Sequence, residues 1–239
     1  MAHFFYTAGA TPALTCAVDF LKAQGFLFTD TTDLNATHLV LPVPSFTPDG
    51  RLVGGGELQV LLPQLSKDIT VIGGNLQHPL LAGYKKIDLL QDPEYLARNA
   101  MITAHCALGY AIDALPVTLA DCTALVIGWG RIGKCLCRLL QGLGTQVTVA
   151  ARKEADRAMA QALGFKAVEI QNINPAGYRL ILNTVPAMVL PQGASGVKID
   201  LASMPGIGGD GVLFARGLPG KDAPESSGRC IADRIIHLL

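Results

Sequence analysis

Short apolar runs alternate with glycine-closed amphipathic stretches along most of this chain. Residues 3–7 form an apolar run that ends before Gly9, and residues 12–24 carry Leu14, Cys16, Val18, Phe20 and Leu21 at roughly helical spacing up to Gly25. This predicts a strand and then a helix stopped by glycine. The run His38-Leu39-Val40-Leu41-Pro42 predicts a buried strand, residues 57–65 a helix, and residues 69–74 a third strand. Asp92-Pro93-Glu94 is a helix start, with Asp as N-cap and Pro at the first helical position, and that helix is expected to run to residue 115, just before Pro116. Further on, residues 123–127, 146–151, 179–184 and 197–203 read as strands, and residues 224–239 place Cys230, Ile231, Ile235, Leu238 and Leu239 at helical offsets.

Strands that alternate with helices predict an α/β fold with mainly parallel sheets. Residues 1–92 form a small N-terminal α/β domain on the substrate side, and residues 93–115 a connector helix. Residues 116–221 are expected to form a Rossmann-type doubly wound domain. Residues 222–239 form a C-terminal helix expected to pack at the domain junction.

Composition narrows the function classes. Half of the 239 residues are hydrophobic and only 16% are charged, too much core material for a disordered chain. Nineteen basic side chains balance nineteen acidic ones, so no basic excess points to nucleic acid. No apolar run nears the roughly 20 residues that span a bilayer, and the start Met1-Ala2-His3-Phe4-Phe5-Tyr6 lacks a signal-peptide pattern. A cytoplasmic protein is expected. The six cysteines include no C-x-x-C pair, and Cys135 and Cys137 lie about 200° apart around a helix, so reduced apolar cysteines and no metal are expected.

The most informative segment is Leu125-Val126-Ile127-Gly128-Trp129-Gly130-Arg131-Ile132-Gly133. Its G-x-G-x-x-G follows an apolar strand and opens a helix whose Ile132, Leu136, Leu139 and Leu140 share one face. Gly128 allows the tight turn, Gly130 the approach of a pyrophosphate, and Gly133 the packing of helix on strand. The helix N-terminus offers free amides to phosphate, with Trp129, Arg131 and Ile132 in the same turn. The next strand exits through Ala150-Ala151 into Arg152-Lys153, where an NAD site would place a carboxylate for the ribose 2′-hydroxyl. Guanidinium and ammonium groups there predict a preference for NADP(H) over NAD(H). The strand-exit turns holding Asn183, Thr184 and Pro186, and Ala202 and Ser203, are placed to border the nicotinamide.

Several segments together carry a family resemblance. Asn99 to Ala104, Gly128 to Gly133, Val147 to Arg152, Asn183 to Ala187, Asp200-Leu201-Ala202-Ser203-Met204-Pro205-Gly206 and Gly217-Leu218-Pro219-Gly220-Lys221 occur in the order seen in the dipicolinate synthase family, in its A-type component. The chain also resembles, more distantly, the cofactor domain of 2-hydroxyacid dehydrogenases. The first resemblance implies oxidation of a dihydrodipicolinate-type ring to pyridine-2,6-dicarboxylate in a sporulation-linked branch of the lysine pathway, in company with a flavoprotein-like B subunit. It implies a phosphate-binding role for the three fingerprint glycines and a 2′-phosphate role for Arg152. It also places Asn99, Thr103, Ser203 and the loop Gly217 to Lys221 near the cleft. The chain departs from the family pattern at His105-Cys106, where a glutamate and a small residue are expected, and in a shorter N-terminal domain.

For the chemistry, oxidising a ring needs a base and donors for two carboxylates. His105, which titrates near neutrality as a residue type, stands on the connector helix on the face of Arg98 and Ile102, with Asn99 and Thr103 in the neighbouring row. The candidate catalytic residues are His105, Thr103 and Lys221, and the candidate substrate contacts are Ser45, Arg98, Asn99, Thr103, Gly217 and Lys221. A dimer is expected. The alternatives are a 2-hydroxyacid dehydrogenase-like reductase and a non-catalytic NADP(H)-binding regulatory subunit.

Overall fold

A computed structural model describes residues 3–29, 35–192 and 194–239. The chain divides into two units, one holding residues up to Asn99 together with Pro219–Leu239, the other Ala100–Leu218. In the first unit the order is β1 (Phe4–Thr7), α1 (Pro12–Ala23), β2 (Leu27–Phe28), β3 (His38–Val40), α2 (Leu58–Leu61), β4 (Thr70–Gly73) and β5 (Lys85–Asp88), then α3 (Pro93–Ala114), which runs on into the second unit. The strands are all parallel, in the order β2-β1-β3-β4-β5. This is a second doubly wound arrangement, with its own switch point between β1 and β3.

Local chemistry sets the boundaries. The Thr11 hydroxyl accepts the Leu14 N–H at 3.2 Å and Pro12 takes the first position of α1, while Gly25 at φ 89° ends it. The strand read over residues 38–42 stops at Val40, because Leu41 makes the last ladder bond, to Ile72 O, and Pro42 has no N–H to give. The helix read over residues 57–65 is shorter for the same reason. Pro63 breaks it into α2 and a 3₁₀ turn, Leu62–Gln64. The edge strands β2 and β5 are not legible in the pattern, being only two and four residues long, with β5 charged at its start.

His38 packs at the edge of this core. Its ring stacks on Phe5 at 4.9 Å and stands 5.1 Å from His3, while its Nδ1 shares a hydrogen bond with the Thr37 hydroxyl. Burial, and then the neighbouring His3, lower its pKa from 6.5 to about 4. The unfolded chain therefore binds this proton first. The His38 contribution to stability is intact above pH 6.5 and drains away as pH falls toward 4. With solvent screening included, about 1–3 kcal/mol of the wild-type loss between roughly pH 7.5 and 4.5 is expected to disappear in His38→Phe. Urea unfolding of both proteins at the two pH values measures it, and parallel losses would refute it.

The second unit contains β6 (Thr123–Ile127), α4 (Arg131–Gly142), β7 (Gln146–Ala150), α5 (Glu154–Ala162), β8 (Lys166–Val168), β9 (Leu180–Asn183), β10 (Val197–Asp200) and β11 (Val212–Phe214). Its parallel sheet is ordered β11-β10-β9-β6-β7-β8, the Rossmann order, and the direction of chain progress reverses between β6 and β9. Loops rather than helices make the crossovers after β9 and β10. Leu190 and Ile207, joined by a parallel bridge, bring the apolar cover that a helix would supply over Leu125, Ile127 and Ile181.

The chain ends with α6 (Leu218–Asp222) and α7 (Pro224–Leu238). The C-terminal helix belongs to the first unit. It lies along α1, where a Cβ on Gly228 would come within 2.5 Å of the Cys16 Cβ, so glycine permits the close approach. Arg234 then clasps the start of α3: Nε and Nη2 each donate to one Asp92 oxygen at 2.7 Å, and Nη1 to Glu94 at 2.6 Å. The forked pairing holds the Asp92 carboxyl below its usual range, and Asp92 still caps α3 through the Tyr95 N–H at 2.7 Å. With this helix included, the N-terminal unit is no smaller than the Rossmann unit. All six cysteines are free, and burial pushes the Cys137 thiol up to about 12 and Cys230 up to about 11.

Candidate dinucleotide-binding site

The fingerprint turn sits at the carboxyl end of β6, beside the switch point. Gly128 leaves the strand at φ 104°, its N–H donating to Ala150 O at 2.9 Å. A Cβ there would stand 2.4 Å from the Thr184 hydroxyl, and one on Gly133 would stand 2.0 Å from the Gly128 carbonyl oxygen. These two glycines are required by the protein's own packing. Gly130, the N-cap of α4, is different: a Cβ there would meet no protein atom within 4 Å. The space beside the amides that open α4 is therefore open at this position. Trp129 is buried, edge-on to Phe165 at 5.9 Å and with Lys134 above its ring.

Gly128, Trp129, Gly130, Arg152, Lys153, Thr184 and Pro186 line one hollow of about 580 Å³, which suits a small-molecule ligand. Ala151, Asp156, Ile170, Gln171, Val185, Ala187 and Val189 complete it. Arg152 and Lys153 are exposed at the exit of β7 and line the hollow with Asp156 from the first turn of α5, while Glu154 of the same turn is exposed and does not line it. Thr184 also donates its hydroxyl to Ile127 O at 2.9 Å, which ties the β9 exit to the fingerprint strand. Of the other fingerprint residues, Arg131 is exposed and Ile132 half-buried on the first turn of α4, and neither lines the hollow.

Asn183 is corrected as a cofactor contact. It is fully buried, donating to Val185 O at 3.0 Å and to Asp200 Oδ1 at 2.9 Å and accepting the Val185 N–H. Asp200, also fully buried, accepts from Ala202 N at 3.1 Å, Gly206 N at 2.7 Å and Ile207 N at 3.2 Å. The pair locks the two strand-exit turns together, and the strand read over residues 197–203 ends at Asp200 because its carboxylate gathers those amides. Ala202 is buried within this corner, its carbonyl accepting from Arg216 Nε at 3.1 Å, while Ser203 is exposed; neither borders the hollow. The sequence signal for the clamp is an Asp at a strand end followed by a glycine turn.

The remaining candidates fall outside the hollow. Ser45 is corrected as a substrate contact: it is fully buried, its hydroxyl donating to Pro42 O at 2.8 Å and accepting the Gly74 N–H at 3.0 Å. Arg98 is committed to an ion pair with Asp233 at 2.8 Å. On α3, Asn99 is half-buried, Thr103 buried and His105 exposed. The Gly217 to Lys221 segment is not the expected loop: Gly217 takes φ 67° and Leu218 to Lys221 begin α6, with the Lys221 side chain exposed. Among the described residues, no group of three or more His, Cys, Asp or Glu is placed to hold a metal, and no helix is long and apolar enough to cross a membrane.

No family model matches the chain. Over 97% of its length it is 27% identical to the A subunit of dipicolinate synthase from Bacillus subtilis strain 168, covering 84% of that protein. The structure of the corresponding Bacillus halodurans protein, also a dipicolinate synthase A subunit, superposes with a TM-score of 0.85 at 20% identity, over 100% of this chain and 98% of that one. The structure of the Bacillus subtilis protein gives a TM-score of 0.83 at 22% identity, over 100% and 96%. More distantly, Escherichia coli D-lactate dehydrogenase shares the fold, with a TM-score of 0.60 at 15% identity over 99% of this chain and 95% of that one. In sequence and fold together the chain is similar to the dipicolinate synthase A subunit, and in fold alone, more distantly, to D-lactate dehydrogenase.

Proposed function

We propose that the chain is an NADP(H)-dependent oxidoreductase that, together with a flavoprotein-like B subunit, oxidises a dihydrodipicolinate-type ring to pyridine-2,6-dicarboxylate. The observation that carries the reading is the single hollow that joins the fingerprint turn to Arg152 and Lys153. The amides opening α4 hold the pyrophosphate, with Gly130 leaving room for it, and Arg152 with Lys153 takes the 2′-phosphate. When bound, the nicotinamide supplies a hydride acceptor. Aromatising the ring releases a hydride and a proton, and His105, exposed on α3, takes the proton. Thr103, two residues before His105 on α3, is the donor assigned to a substrate carboxylate.

Arg152→Ala is expected to weaken NADP⁺ binding by about 30-fold, the worth of one charge-assisted phosphate contact, and to change NAD⁺ binding by less than about twofold. Calorimetry with both coenzymes tests it, and equal affinities in the unaltered chain would end the case for NADP(H). Turnover is tested by following NADP⁺ reduction on addition of the dihydro-dicarboxylate, with and without a B subunit. Saturable NADP(H) binding with no reduction under either condition would favour a regulatory subunit instead.

A further inference from the structure

We propose that Arg157 is a positioning residue for coenzyme selectivity, holding the turn that presents Arg152 and Lys153. The inference rests on the reading above that the 2′-phosphate binds at this turn. Arg157 lies in the second turn of α5, with its backbone N–H on Lys153 O, and it does not line the hollow. Its side chain folds back over the strand exit. A single nitrogen, Nη1, donates to Ala151 O at 3.0 Å and to Arg152 O at 2.7 Å.

These two carbonyls bracket Arg152. Ala151 is also fixed from the other side, its N–H donating to Val168 O at 3.0 Å at the end of β8. The backbone on both sides of the Arg152 Cα is therefore tied, one end to the sheet and both carbonyls to the helix. This matters because Arg152 and Lys153 are exposed side chains with many rotamers, and a phosphate gains from them only if their stems leave the chain in a fixed direction. Without the Arg157 fork the two peptide planes of the turn can rotate, and binding the phosphate then has to order the turn as well. Nucleotide lacking the 2′-phosphate does not draw on that ordering. Arg157 is therefore expected to govern the ratio of affinities rather than affinity as such.

The test uses the full chain with 2′,5′-ADP and 5′-AMP as probes. Calorimetry gives the ratio of their Kd values, and hydrogen exchange reports the amides of residues 151–155 in the ligand-free protein. In Arg157→Met the preference for 2′,5′-ADP is expected to fall by about tenfold, 5′-AMP to bind within about twofold of the unaltered chain, and the 151–155 amides to exchange faster. An unchanged preference overturns the proposal. So does an equal loss for both probes, which would mean general damage, or a lost preference with unchanged exchange, which would make Arg157 a remote charge and not a clasp. If the Met variant fails to fold, Arg157→Leu, which likewise has no donor, takes the same measurements under the same criteria. Absence of any 2′-phosphate preference in the unaltered chain would overturn the coenzyme reading itself, a result distinct from all of these.

Discussion

Asp200→Ala is expected to cost about 3–5 kcal/mol, because it strips four hydrogen-bond donors of their acceptor in a site closed to water. Three backbone N–H groups would be buried unpaired, and the Asn183 amide would keep only its bond to Val185 O. Asp200→Asn keeps the shape but turns one oxygen into an NH₂ that faces other donors, so an intermediate loss of about 2 kcal/mol is expected. Urea unfolding followed by the fluorescence of Trp129, the single tryptophan, measures both. Coenzyme affinity is expected to fall as well, since Thr184, Pro186 and Ala187 line the hollow from the turn that Asp200 holds. An alanine variant within about 1 kcal/mol of the unaltered chain would show that the corner is held by packing alone.

The second large effect is a contrast within the fingerprint. Gly133→Ala puts a methyl group 2.0 Å from the Gly128 carbonyl oxygen, where neither backbone can give without moving α4 off β6. A loss of about 3 kcal/mol is expected, together with coenzyme binding. Gly130→Ala is the opposite case. Its backbone, at φ −80°, suits alanine and the methyl would meet open space, so the stability cost is about 0.5 kcal/mol, the weaker cap. Its dinucleotide affinity is nonetheless expected to drop about tenfold or more, because the methyl occupies the approach to the α4 amides. Thermal melts and calorimetry on the two variants separate the roles. Full affinity in Gly130→Ala would mean that the phosphates lie elsewhere.

What is legible in the sequence follows from how far each signal reaches. Strand β6, the G-x-G-x-x-G turn and α4 are coded by neighbours within about twenty residues, and the cap at Asp92 by three. The cationic tip after β7 is likewise local. Several polar candidates are taken up by partners that lie far along the chain. Ser45 looks available from its neighbours, yet its hydroxyl donates to Pro42 O and also accepts the Gly74 amide, 29 residues on. Asn183 reads as a ligand contact because its partner Asp200 sits one crossover away. Arg98 and Arg234 find their acids 135 and 142 residues distant. A polar side chain at a strand exit serves a ligand or a loop equally well on local grounds, and only the closed fold decides.

The Arg234 fork has a consequence for synthesis on the ribosome. It joins the start of α3 to a helix 142 residues further along, and the whole Rossmann unit lies between them in the chain. The stretch from Ala100 to Leu218 is contiguous and β1 to β5 can pair among themselves, but the α1 face against Gly228 stays uncovered until α7 emerges. Any bulky fusion that delays the final helix prolongs the period in which that face is open to other chains.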